Sequence, residues 1–145
     1  MRTLLTISLL AILVVACKDD DKELKAKRMS DPTTYTTIQW LDSIVHFDTI
    51  TMGEKATVKF RFKNTGDKPL FITEARAGCG CTIPDYTKGA IAPGQGGEVT
   101  GAFDSKKAHA GIVRKSIFVT TNTQYETEHT LIFTGIINEA PVIKR

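Results

Sequence analysis

Cysteine, tryptophan and excess charge are all scarce in this 145-residue chain, which has three Cys, one Trp, and 19 basic against 16 acidic side chains for a formal net charge of +3. Without strong net charge, or a basic stripe interleaved with aromatics, the chain offers no electrostatic footprint for nucleic acid. Catalytic signatures are missing as well. No Gly-x-Ser-x-Gly elbow or His-Glu-x-x-His helix occurs, and His46, His109 and His129 are scattered along the sequence. The chain is therefore read as a non-enzyme, with no catalytic residue, no small-molecule substrate and no resident cofactor. The length suits one domain and is too short for a typical two-domain cofactor enzyme.

Long apolar runs are absent except for one near the start. Leu4 to Ala16 has only Thr6 and Ser8 as polar residues, with Met1-Arg2 before it and Cys17 after it. It falls short of the roughly 20 residues that a helix needs to cross a bilayer core, so residues 1–16 read as a cleaved signal peptide. Leu13-Val14-Val15-Ala16-Cys17 resembles a bacterial lipobox, which implies cleavage before Cys17 and diacylglycerol on its thiol. Acyl chains would then hold the protein on a membrane at about 0.8 kcal/mol per buried methylene. An ordinary secretory signal cut after Ala16 is the other reading.

Residues 17–36 are rich in charge and poor in apolar groups, and they read as the lipidated Cys and a flexible tether. Within them, Lys18-Asp19-Asp20-Asp21 resembles the export signal of surface lipoproteins in one group of Gram-negative bacteria. A plain acidic spacer is the alternative. These features together lead us to expect an outer-membrane lipoprotein, displayed on the cell surface, with the membrane and other envelope proteins as its partners.

From Thr37 the pattern changes to alternation. Val58, Phe60 and Phe62 share one face and Lys59, Arg61 and Lys63 the other, the period of a half-buried strand. Asn64-Thr65-Gly66-Asp67 reads as a turn, with Asn64 and Gly66 expected to tolerate left-handed backbone and Pro69 to open the next strand. A second turn at Ala92 to Gly97 contains Pro93 and Gly94; no Gly-Lys-Ser/Thr follows, so it is not read as a phosphate loop. Further strands are expected around Ile38 to Trp40, Ile44 to Phe47, Leu70 to Glu74, Val99 to Phe103, Ile117 to Val119 and Leu131 to Gly135. The segment Tyr86 to Ala90 fits a loop or a short edge strand. The predicted core comprises Phe60, Phe62, Ile72, Val99, Phe103, Val119 and Phe133. This is an all-β reading, an antiparallel immunoglobulin-like sandwich of about seven strands over residues 37–138, followed by a tail at 139–145.

Several motifs in order carry a family resemblance: Gly53-Glu54, Phe60 to Leu70, Cys79-Gly80-Cys81-Thr82-Ile83-Pro84, Ile91-Ala92-Pro93-Gly94 and Val119-Thr120-Thr121-Asn122. Over residues 44 to 137 the chain resembles the domain-of-unknown-function family 1573. The resemblance implies a sandwich related in fold to pilus-chaperone and ciliary modules, and many such proteins are lipoproteins.

Cys79 and Cys81 are the two thiols left once Cys17 carries lipid, and the cell envelope is a compartment where disulfides persist. Three fates are open to them: a structural pair, a Cu(I) site made of two soft thiolates, or thiol exchange. They are expected near each other at the surface, beside a loop from Thr82 to Gly89. The preferred function is a lipid-anchored interaction module, an accessory subunit of an outer-membrane assembly. A periplasmic or surface thiol or Cu(I)-handling protein is the alternative.

Overall fold

The computed structural model describes Lys27 and residues 31–141. Among these residues no helix is long and apolar enough to cross a membrane. Nine strands form two sheets: β1 (Ile38–Trp40), β2 (Ile44–His46), β3 (Ile50–Thr51), β4 (Lys55–Asn64), β5 (Ile72–Ala77), β6 (Thr82–Tyr86), β7 (Gly96–Asp104), β8 (Gly111–Thr121) and β9 (Glu128–Asn138). One sheet runs β1-β4-β7-β6 and the other β2-β9-β8-β5, with β3 also paired to β9.

Alternation sets the inner faces. Along β4 every second side chain is buried, from Ala56 through Val58, Phe60 and Phe62 to Asn64. Strand β7 lies antiparallel beside it and places Val99 opposite Phe60, and Phe103 opposite Ala56. From the other sheet come Ile117 and Val119 of β8, and Leu131 and Phe133 of β9, all without exposed surface. Phe103 and Phe133 meet edge to face across the core, their ring centroids 5.6 Å apart. All seven predicted core residues are buried.

Three features differ from the sequence reading. The sandwich is mixed rather than wholly antiparallel, because the short strands β2 and β3 pair with β9 in parallel. The segment after Cys81, expected to be a loop, is strand β6, paired with β7 from Thr82↔Phe103 to Tyr86↔Val99. The tether does not extend to Thr36 as free chain. Thr36 is buried, pairs with Thr123, and donates from Oγ1 to Asn64 Oδ1 at 3.0 Å.

Two buried asparagines organise the end of the sandwich where Thr36 enters. Asn64 donates from Nδ2 to the carbonyls of Lys68 (2.7 Å) and Ile91 (2.9 Å), and its Oδ1 accepts from Gly66 N–H at 3.1 Å. Asn122 donates to the carbonyls of Thr34 (2.7 Å) and Pro69 (3.0 Å) and accepts from Phe71 N–H at 2.7 Å. The expected left-handed backbone at Asn64 and Gly66 is corrected here: among the described residues none other than glycine has positive φ, and Gly66 does not either. Asn64 is needed for its side chain. Gly66 is needed for its size, since a Cβ there would lie 2.1 Å from Thr36 Oγ1. At the second turn Gln95 N–H donates to Ala92 O at 3.0 Å and Gly94 has φ +77°, the arrangement of a type II turn with Pro93 leading.

Candidate functional site

The segment Gly78 to Cys81 carries the chain from the edge of one sheet, β5, to the edge of the other, β6. Gly78 N–H still bonds Ser116 O at 2.9 Å, and Asp104 N–H bonds Cys81 O at 2.9 Å, so both ends of the crossover are fixed. Between them a disulfide joins Cys79 to Cys81, with their Cα atoms 5.3 Å apart. The expected surface position holds for neither sulfur-bearing residue in full. Cys79 is half-buried, and Cys81, immediately ahead of the inward-facing Thr82 that opens β6, is 4% exposed and a member of the core.

Thr82 is the residue that sequence reasoning missed. It is buried, and its Oγ1 lies 3.6 Å from Cys79 Sγ and 3.8 Å from Cys81 Sγ. A disulfide sulfur has no hydrogen, so the hydroxyl is the donor. Only its place next to Cys81 hinted at this role. Gly80, by contrast, has no structural need to be glycine: its φ is not positive, and a Cβ there would meet nothing within 4 Å. The outer side of the ring is open.

The sheet edges flanking this crossover differ. Because antiparallel pairs alternate, the Gly78–Ser116 bond makes Arg76↔Phe118 and Glu74↔Thr120 the bonded pairs of β5 and β8. Ala75 and Ala77 therefore turn their main-chain N–H and C=O groups toward the open edge. On β6 the Asp104–Cys81 bond likewise leaves the main chain of Pro84 facing the open edge, where it has no N–H to offer. One edge is a template for another strand and the other is blunted.

The remaining candidates do not converge. His129 is a satisfied core residue, its Nε2 lying 3.0 Å from Thr121 Oγ1 and 3.2 Å from Thr123 Oγ1. Burial holds its pKa below the ordinary value of 6.5, against a smaller upward pull from Glu126. His46 bonds Thr134 Oγ1 on the outer face of the second sheet, and His109 lies between strands. An open groove of about 410 Å³ beside His46 is lined by Phe47, Asp48, Ile112 and Ile136, and it brings no cluster of reactive groups together. Among the described residues, no group of three or more His, Cys, Asp or Glu is placed to hold a metal ion. Cys17, Lys18, Asp19, Asp20 and Asp21 lie outside the described residues.

Two sheets joined by a disulfide-closed crossover define an immunoglobulin-like β-sandwich. The chain belongs to the family described as protein of unknown function DUF1573, whose pattern matches residues 38–137. No curated protein sequence matches it. Among solved structures, a protein of unknown function from Porphyromonas gingivalis W83 superposes with a TM-score of 0.64 at 13% identity, covering 73% of this chain and 49% of that one. The chain thus spans about half the length of that protein. The ASH/PapD-like domain 7 of human CEP192 superposes with a TM-score of 0.53 at 14% identity, covering 92% of this chain and 98% of that one. At these identities the likeness concerns the fold.

Proposed function

We propose that this chain is a lipid-anchored interaction module of the cell envelope, held by Cys17 in the outer membrane and displayed at the cell surface by Lys18 to Asp21. It acts without catalysis, as an accessory subunit that docks an extended segment of another envelope protein. The observation that carries this reading is the edge of β5, where Ala75 and Ala77 leave ladder groups unpaired beside an otherwise blunted margin. A partner strand added there would continue the β2-β9-β8-β5 sheet.

Ala77→Pro tests the docking directly. The N–H it removes points away from β8, so the fold should persist while capture of the partner in cells falls about tenfold, the effect of roughly 1.4 kcal/mol. Undiminished capture by a folded Ala77→Pro protein would contradict edge docking. The alternative, a thiol or Cu(I)-handling role, requires the Cys79–Cys81 pair to be reduced first, since the two sulfurs are bonded to each other. Copper retained by protein purified without chelator, and lost from a Cys79→Ser, Cys81→Ser double variant, would favour it.

A further inference from the structure

We propose that Cys79-Gly80-Cys81 is a thiol–disulfide exchange site, at which a cysteine thiol of a partner protein attacks Cys79 and displaces Cys81 toward the Thr82 hydroxyl. Three observations converge on this assignment. First, the two cysteines are unequal: Cys79 is half-buried against the core whereas Cys81 belongs to it, which makes Cys79 the more open to attack and Cys81 the leaving thiolate. Second, a buried hydroxyl faces both sulfurs. Its single O–H is within reach of Cys79 Sγ at 3.6 Å and Cys81 Sγ at 3.8 Å and donates to one or the other. On ring opening that hydroxyl donates to the new thiolate, which burial alone would disfavour. Third, Gly80 stands where neither backbone conformation nor packing calls for glycine, and the absence of a side chain keeps the approach to the ring clear.

The exchange balances as follows. A partner thiolate forms a sulfur–sulfur bond with Cys79 while the Cys79–Cys81 bond breaks, leaving a mixed disulfide and a Cys81 thiolate. A second thiol of the same partner then attacks the mixed disulfide and releases Cys79 as thiolate. The partner dithiol is thereby oxidised to a disulfide, its two protons are given up to solvent and to the protein's thiolates, and the Cys79–Cys81 disulfide is reduced to a dithiol. This chemistry rests on the docking reading only for the partner's approach, since Cys79 continues the strand phase of Ala75 and Ala77. A chain that docks nothing at β5 would still exchange with a small thiol.

Glutathione is the probe. The full-length protein is incubated with reduced glutathione at graded urea concentrations below the unfolding transition, and free thiols are counted by alkylation and intact mass. The expected result is opening at a rate independent of urea; opening that rises with urea as global unfolding does would overturn the proposal. With oxidised glutathione, Cys81→Ser, which retains Cys79, should form a mixed disulfide at least about tenfold faster than Cys79→Ser. Equal rates would contradict the assigned polarity. Gly80→Val should slow opening several-fold at an unchanged urea midpoint, and an unchanged rate would show that access is not the glycine's role. Thr82→Val should raise, by about one unit, the pH midpoint at which Cys81 closes back onto a Cys79–glutathione mixed disulfide. An unmoved midpoint would remove Thr82 from the mechanism. The wild-type and Gly80→Val measurements stand even where a cysteine variant fails to fold.

Discussion

Asn64 ties three segments together at once: main-chain groups of the turn at Gly66 and Lys68, the main-chain carbonyl of the strand-like Ile91, and the side-chain hydroxyl of the incoming Thr36. Truncation to Ala takes the side-chain donor from the Lys68 carbonyl and the acceptor from Gly66 N–H and the buried Thr36 hydroxyl, while the Ile91 carbonyl keeps Leu70 N–H, and each such loss costs about 1–3 kcal/mol. Asn64→Ala should therefore destabilise the protein by about 3 kcal/mol or more in urea unfolding, and a loss below about 1 kcal/mol would contradict this role. Lys63→Ala, one residue earlier on the exposed face, should change stability by no more than about 0.5 kcal/mol. Phe62 lies in the core against Trp40, ring centroids 5.3 Å apart, so Phe62→Ala should cost about 3–5 kcal/mol. His129 makes stability depend on pH. Its folded pKa lies below the unfolded value of 6.5, so on acidification through 6.5 the unfolded chain takes up the proton first. Stability should therefore be whole above that pH and fall as pH drops from 6.5 toward the folded pKa. His129→Gln should flatten that decline, as read from urea midpoints between pH 7.5 and 5.

Strand β4 was legible because ten residues alternate without interruption, and β7, β8 and β9 were legible for the same reason over their cores. Strand β6 was not. Its Thr-Ile-Pro-Asp-Tyr sequence carries a proline, which marks loops and edge strands alike, and only the register against β7 shows that Pro84 occupies the outward position. The parallel pairing of β2 and β3 was hidden because two- and three-residue strands have too little pattern to reveal direction. Burial of Cys81 followed from the same omission: once Thr82 begins a strand, the residue before it is drawn into the crossover and the core. Ala77→Pro should leave the urea midpoint nearly unchanged, whereas Arg76→Pro removes a bond to Phe118 and should cost about 3 kcal/mol. Equal damage at both positions would show that the register of bonded pairs is wrong.

At the scale of the whole molecule, polarity is the organising feature. Thr36, on the N-terminal side of β1, lies with Asn64 and Asn122 at one end of the sandwich, while the Cys79–Cys81 crossover lies beside Asp104 at the other end of β4 and β7. A module held at its N-terminus by lipid would thus carry the disulfide and the last residues of the β5 edge away from the membrane. Lipidation at Cys17 predicts a mature protein that lacks residues 1–16, carries added lipid mass, and stays on membranes through a salt wash. Replacing Asp19, Asp20 and Asp21 with Ala should leave that mass unchanged but remove protease accessibility on whole cells.

Docking of a partner strand along β5 is tested in cells by a photo-crosslinking residue placed at Ala75, at Ile83 on the blunted β6 edge, and at Lys59 on the outer face of β4. One discrete adduct is expected from position 75, abolished by Ala77→Pro, and none of that adduct from positions 83 or 59. The same adduct from position 83 or 59 but not from 75, or an adduct at 75 that survives Ala77→Pro, would contradict it.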